Sequence, residues 1–491
     1  MENQTPDRRR AVVVGAGPNG LCAAARLARA GWLVTVFEAA TTVGGGSRTA
    51  VLGHDAVYDV CSAVHPFGAS SPAFAELNLE AHGLRWMRPP IALAHPFDDG
   101  SAAVLHADVD ATAAELEGDD AARWRAIVGS LAERWTDSRY LAFNPVLQSM
   151  RARPLAMTAF GLSAILPAAL LARRFAGRNA RALLIGFAAH AGVRLSGLTT
   201  AGVGLTLAAA GHVTGMPVAE GGSQAVADAL AEVIRLADGE IVCGHRVDSI
   251  RELPPADAVL LDVTPRQFAE LAGQPTPRWK YGVGAHKLDL VLSGPMPWTA
   301  QACREAGTVH VGGDARAIAR SERATVSGLL PDHPFLIVAQ PSVADPSRAP
   351  SGQHVLWAYR HVPNGSADSR ATSGIERQFD RFAPGWRDLV VHRRETSAID
   401  FSAYNANYIG GDIAGGAMTP WQAVARPRLA VDPYPTRIPG VWLCSQSTPP
   451  GAGVHGMCGW NAAGSVLRHD RDRSDGLRHS LVSRFDRANR R

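Results

Sequence analysis

Ala11-Val-Val-Val-Gly15-Ala-Gly17-Pro18-Asn19-Gly20-Leu-Cys-Ala-Ala24 is the stretch whose reading decides the fold. Ala11 to Val14 is a short apolar run rich in β-branched residues, and Leu21 to Ala30 is helix-forming, so the order is strand, tight turn, helix. The helix ends at Gly31, and Trp32 to Phe37 reads as a second buried strand closing on Glu38. This is one βαβ unit of the length a dinucleotide fold requires. Gly15 permits the turn, Gly17 lets backbone approach a pyrophosphate, and Gly20 allows close helix–strand packing. Pro18 and Asn19 lie at the helix N-terminus, whose free N–H groups and dipole address phosphate. Glu38, with Ala39 after it, is placed to accept the ribose hydroxyls, which favours FAD or NAD over NADP.

Working outward, Gly44-Gly45-Gly46-Ser-Arg48-Thr49 is a glycine cluster that fits neither a helix interior nor an ordinary strand, so its backbone must pass close to something. A glycine pair six and seven residues after a ribose-binding acid is a second mark of proteins that bind extended FAD. Arg48 can add charge near the pyrophosphate. At the far end of the chain, Val441 to Ser445, the Pro/Gly-rich Gln446 to Gly453, and Val454 to Leu467 repeat the strand–turn–helix order. The helix is expected to start near Val454. Its N-terminus would point at the turn and could stabilise charge gathering on a reduced flavin ring.

With these segments in view, the sequence resembles the phytoene dehydrogenase-related flavoproteins, inside the glutathione-reductase-like FAD superfamily that includes amine oxidases. The resemblance rests on Gly15 to Gly20 with Glu38 and Gly44-Gly45, and on Thr448-Pro-Pro-Gly-Ala-Gly-Val-His-Gly-Met-Cys-Gly459. Lys287 to Trp298 and Tyr404 to Asp412 look most like the pyridine nucleotide-disulfide oxidoreductase domain-containing protein 2-like subgroup. The resemblance implies an α/β fold: a glutathione-reductase-like FAD-binding Rossmann domain (1–80, 215–278 and 429–470) interleaved with a mixed α+β substrate domain (81–214 and 279–428), and an Arg-rich tail (471–491). It implies FAD contacts at Gly15, Gly17, Pro18, Asn19, Gly20, Glu38, Ala39, Gly45, Gly46 and Arg48. Further contacts are implied at Val247, in an expected strand Ile241–Ile250, at Thr264, and at Ser445, Gly453, Val454, His455, Gly456 and Met457. Many members carry an arginine directly after the glycine pair, whereas here Gly46-Ser47 precede Arg48. No CxxC is present, so dithiol reductase chemistry is not expected.

Composition narrows the partners. The chain has 491 residues, 46% of them hydrophobic, enough for two lobes and incompatible with a disordered or fibrous protein. The formal charge of +4 is matched by residues 468–491 alone, with eight Arg against four Asp, so the body is near neutral and nucleic acid is set aside. Six scattered cysteines show no zinc spacing, and no metal site is expected. Reduced thiols fit a cytoplasmic protein. Arg8-Arg9-Arg10 before an apolar run has the look of an export signal, but that run carries the nucleotide pattern.

The substrate side is less legible. Leu155 to Ala172 is uncharged and bracketed by Arg151, Arg153, Arg173 and Arg174. It reads as a buried substrate-lobe helix or a peripheral membrane contact at a tunnel mouth, with Gly161 and Pro167 opposing a full span. Uncharged Leu195 to Val218 adds to the case for a lipophilic substrate. In an expected strand Tyr281–Leu292, Lys287 and Asp289 share a face; Lys287 is either a catalytic lysine over the flavin or an exposed or salt-bridged one. His455 is a candidate proton acceptor or flavin contact, with a structural role equally open. His65, Tyr404 and Tyr408 are weaker candidates, Asp412 is given no role, and Arg426 and Arg428 read as surface arginines. The expected activity is FAD-dependent dehydrogenation (desaturation) of a C–C bond in an apolar, carotenoid-like molecule, the acceptor being oxygen, quinone or NAD. Alternatives are flavin amine oxidation, polyene isomerisation, or a non-catalytic lipid escort like the prenyl-GTPase dissociation inhibitors.

Overall fold

The computed structural model describes residues 8–53 and 55–488. Strand β1 (Arg10–Val14), helix α1 (Pro18–Arg29) and strand β2 (Leu33–Glu38) form the expected unit. They belong to a five-stranded sheet in the order Val441–Leu443, Ala258–Leu261, β1, β2, Glu240–Cys243, parallel throughout. A parallel sheet must be covered on both faces, and β1 shows how the sequence does this. Ala11 and Val13 point into a core shared with Leu21 and Ala24 of α1, Leu230 and Ile234 of helix Gln224–Leu236, and Met457 and Val466 of the last helix. Val12 and Val14 point the other way, to Val247, Leu261 and Leu443.

A seven-stranded sheet forms the second lobe, in the order Val390–Thr396, Gly284–Leu292, His354–Val362, Leu336–Ala339, Ala306–Val311, Ile91–Pro96, Ala102–Leu105. Its neighbours are antiparallel except for the pair Ala306–Val311 and Ile91–Pro96. Helix Arg178–Ala189 presses Leu183, Leu184 and Phe187 into a core with Leu93, Ile337 and Trp357. The mixed α/β architecture with a parallel Rossmann-type sheet is thus present.

Several local expectations change. The strand expected over Ile241–Ile250 stops at Cys243, because Gly244 takes a positive φ and the N–H groups of Gly244 and His245 turn back to the carbonyls of Ala40 and Glu38. The strand expected from Tyr281 begins at Gly284. The last helix starts at Met457, three residues after Val454, and runs to Ala488; side chains from Ser474 onward and residues 489–491, part of the expected tail, lie outside the described residues.

Leu155 to Ala172 is not one helix. Helix Pro154–Ala164 is followed by a break and the short helix Ala168–Leu171, the bend being 84° across Pro154–Ala164 and Ala168–Arg174. Ala168 and Leu171 are core residues, but no residue of Pro154–Ala164 is buried, and Leu155 and Leu162 are 86% and 72% exposed. A buried helix therefore holds only for the second piece. Among the described residues no single helix is long and apolar enough to cross a membrane.

Candidate flavin and substrate site

At the end of β1 the turn is so tight that a Cβ on Gly20 would lie 2.0 Å from the Gly15 carbonyl oxygen. Gly17, the N-cap of α1, offers no side-chain cap, and Asp262 takes the Gly20 N–H of the first turn. The second glycine cluster folds onto this turn through a 2.8 Å bond from the Gly44 N–H to Ala16 O. Glu38 accepts from the Ala16 N–H at 2.7 Å through Oε2, and from the Ala40 N–H at 2.9 Å and Arg48 at 3.1 Å through Oε1. A carboxylate has about four lone-pair sites, so the acid still has acceptor capacity. The Arg48 guanidinium also donates to Thr42 O and Tyr404 Oη, and Tyr404 donates to Gly45 O at 2.6 Å. Its charge is thus spent on Glu38 and the glycine loop.

The last helix closes the same site from above. A Cβ on Gly459 would fall 1.7 Å from the Asn19 carbonyl oxygen, so only glycine lets this helix cross α1. Ahead of it, Ser445 donates from its hydroxyl to Val263 O at 2.7 Å, tying the turn to the neighbouring strand end. The His455 ring is 1% exposed and lies beside Phe67 and Phe143. Its Nδ1 accepts the Met457 N–H at 3.0 Å, so Nε2 carries the proton, beside the backbone of Gly451 to Gly453. Burial pulls this imidazole down to about 4 and keeps it neutral. Both nitrogens are therefore occupied by the turn, and His455 shapes it.

From this junction a cavity of about 700 Å³ runs into the second lobe. Pro18, Asn19 and Gly46 line one end, Gly453 to His455 lie on its wall, and Met157, Phe160, Ala164 and Ile165 belong to the exposed helix and the break after it. Among the described residues no lysine or arginine lines the cavity, and Asp412 is its one carboxylate. Asp412 accepts from Gly282 and Ala414 N–H groups, and burial raises its pKa. Trp357, Tyr359, His361, His190 and Tyr408 supply the remaining ring wall.

Lys287 does not line the cavity. Its ammonium is buried, 2.7 Å from Asp289 and bonded to the carbonyls of Asp59 and Val60. Asp59 in turn pairs with Arg348 and accepts from the Ser223 N–H, while Ser223 bonds His65. This polar network lies behind Cys61 to His65, which form part of the wall. Arg426, expected at the surface, is 2% exposed and donates to Gly416 O and Ala414 O, holding the loop that carries Asp412. Of the ring wall only Tyr408 was among the candidates; the parts not foreseen are Trp357, Tyr359, His361 and His190, Glu322 behind His361, and Asp262. Asp262 follows strand Ala258–Leu261 and accepts the Gly20 N–H at 3.0 Å. A carboxylate directly after an apolar strand was its available signal.

The residues fit FAD: a helix end without an N-cap side chain under two glycine turns, a ribose-type acid, the buried Asn19 Oδ1 without a partner among the described residues at the cavity's end, and a second helix-facing turn opening on the same cavity. Comparison with known proteins agrees. Residues 19–273, more than half the chain, match the family described as flavin containing amine oxidoreductase. The chain is 24% identical over 547 residues to mouse pyridine nucleotide-disulfide oxidoreductase domain-containing protein 2, covering 93% of each chain. It is 26% identical to the phytoene desaturase (neurosporene-forming) of Rhodobacter capsulatus over 50% of this chain and 52% of that one. Its fold matches an oxidoreductase from Methanosarcina mazei with a TM-score of 0.62 and 16% identity, over 94% of this chain and all of the other. This chain belongs to the flavin containing amine oxidoreductase family and is an FAD-dependent oxidoreductase.

Proposed function

We propose that the protein dehydrogenates a C–C bond of a lipophilic, polyene-like small molecule. The carrying observation is the 700 Å³ cavity, walled by apolar and aromatic side chains without a lysine or arginine, reaching from the flavin-type turns to an exposed apolar helix. FAD supplies the hydride-accepting centre when bound. The chain's own residues do the rest. Phe67, Phe143, Val146 and Met157 exclude water. Asn19, Glu38, Gly45, Gly46, Val247 and Thr264 are assigned to holding FAD, with Ser445 and Gly453 to Met457 shaping the flavin-facing turn. Lys287 positions the wall segment Cys61 to His65. Similarity to a phytoene desaturase supports this substrate class.

Peripheral membrane contact through Pro154–Ala164 belongs to the same reading, since a lipophilic substrate partitions into lipid. All six cysteines are unpaired, which suits a cytoplasmic face. Amine oxidation is the second reading, favoured by the family and by Trp357 and Tyr359 side by side on the wall, ring centroids 5.4 Å apart.

The deciding experiment records the visible spectrum of the purified protein and then follows anaerobic bleaching on adding apolar polyenes or primary amines. Bleaching by polyenes supports desaturation and bleaching by amines supports the second reading. Absence of flavin bands from the protein after FAD addition and removal of unbound FAD overturns both. Reoxidation by oxygen, a quinone or NAD identifies the acceptor.

A further inference from the structure

One ion pair faces the cavity. His361, on strand His354–Val362, donates from Nδ1 to Glu322 Oε2 at 2.8 Å, and Glu322 on helix Ala315–Val326 is completely buried. Glu322 Oε1 has no hydrogen-bond partner among the described residues. A buried carboxylate that is only half satisfied is a poor stabilising device, because desolvation can cancel the gain from pairing. A functional role at the cavity wall explains its retention better. The Nε2 edge of His361 lies 3.8 Å from where a Cβ on Gly192, itself on the wall, would sit, and makes no hydrogen bond within the described protein. Burial pulls the His361 pKa down, but Glu322 beside it, helped by Asp412, outweighs this and raises it. The ring therefore offers an Nε2–H to the cavity in mildly acidic solution.

The other polar groups on this wall are less suited to hold a ligand. His190 is bound through Nε2 to His310 at 3.0 Å and is kept neutral by burial and by His361. The Asp412 carboxylate is taken by backbone N–H groups. The charges around His361 also select the ligand. Glu322 neutralises it and Asp412 adds negative potential, so a carboxylate gains little. An ammonium carries only donors and finds no acceptor in the Nε2–H.

We propose that His361, held by Glu322, is a polar anchor that binds the neutral carbonyl oxygen of an otherwise apolar substrate. The proposal rests on the apolar-cavity reading above and narrows its substrate class to hydrocarbons carrying one carbonyl.

The test uses the FAD-loaded protein at pH 6 and isothermal titration calorimetry with 2-nonanone and 1-nonene, matched in length and differing in the carbonyl. Wild type should bind the ketone about tenfold or more tightly than the alkene, the value of a charge-assisted hydrogen bond. His361→Phe should abolish that preference while leaving alkene affinity within a factor of two. Glu322→Gln, which keeps the imidazole, should reduce the preference severalfold and serves if the first variant does not fold. Equal binding of the two ligands to wild type, or a preference that survives both substitutions, overturns the anchor and leaves the apolar cavity standing. Failure of both ligands to bind overturns the cavity reading and the anchor together.

Discussion

Asp262 occupies the anion-binding amino end of α1, with its Oδ2 on the Gly20 N–H, where it would compete with a bound pyrophosphate. Burial raises its pKa to about 7, opposed by the Gly20 bond and helped by Glu38. Other ionisable groups coupled to it are Tyr408, Cys444 and Cys458. In the unfolded chain an aspartate titrates near 3.9, so between pH ~4 and ~7 the folded state holds a proton the unfolded state has lost. The resulting stabilisation is full below about pH 4 and is lost as pH rises through 7. Asp262→Asn should flatten the decline of melting temperature between pH 5 and 8 and strengthen FAD retention at pH 8. An unchanged slope in differential scanning fluorimetry would count against the role. Glu38 behaves oppositely: Glu38→Ala removes an acceptor from two backbone N–H groups and should weaken FAD retention by about 1.5–3 kcal/mol, read by equilibrium dialysis. Glu38 was legible because its place follows from local spacing. His361 was not, because it reaches the cavity by the pairing of His361 with Ala285, 76 positions apart, across neighbouring strands.

At the scale of elements, Pro154–Ala164 breaks the usual economy of a folded chain. A helix with no fully buried residue, whose main hold on the core is the partly buried Phe160, gains little from tertiary packing, which normally supplies most helical stability. Leu155, Leu162 and Ile165 instead make an exposed apolar strip, bracketed by exposed Arg151, Arg153, Arg173 and Arg174. Apolar burial and attraction to anionic headgroups act together on such a surface, at about 1 kcal/mol per basic residue. Leu155→Glu with Leu162→Glu should therefore abolish co-sedimentation with vesicles containing phosphatidylserine while leaving the visible spectrum unchanged. Co-sedimentation equal to wild type would remove this helix as the docking element. The sequence marked the segment by its missing charges but could not say which half is buried, since hydropathy is similar on both sides of Pro167. Strand Gly284–Leu292 posed a related difficulty: all nine residues are buried, so the two-residue alternation that assigns faces in a half-exposed strand is lost.

In the whole molecule, the flavin site exists only because the two ends of the chain meet. Val441–Leu443 completes the parallel sheet beside Ala258–Leu261, and the last helix packs along α1, the two sharing Leu21, Cys22, Ala25, Met457, Ala462 and Val466 in one core. Their separate motifs were readable in the sequence because each is local; their crossing was not, because it depends on an approach between Asn19 and Gly459, 440 positions apart. Gly459→Ala tests that approach. The added methyl would meet the Asn19 carbonyl oxygen at 1.7 Å, and backbone cannot yield as a flexible side chain would, so the two helices must separate. Separation exposes part of the shared core and displaces the open end of α1 from the His455 turn. Overpacking of this kind typically costs about 1–3 kcal/mol, and the lost FAD adds to it, since a ligand at a hundred times its Kd stabilises by about 2.7 kcal/mol. The variant should therefore melt several degrees below wild type and show little further rise when FAD is added, whereas the wild-type apoprotein should rise markedly. A variant that keeps the full FAD-dependent rise would mean that the site tolerates separated helices and that the crossing serves stability alone.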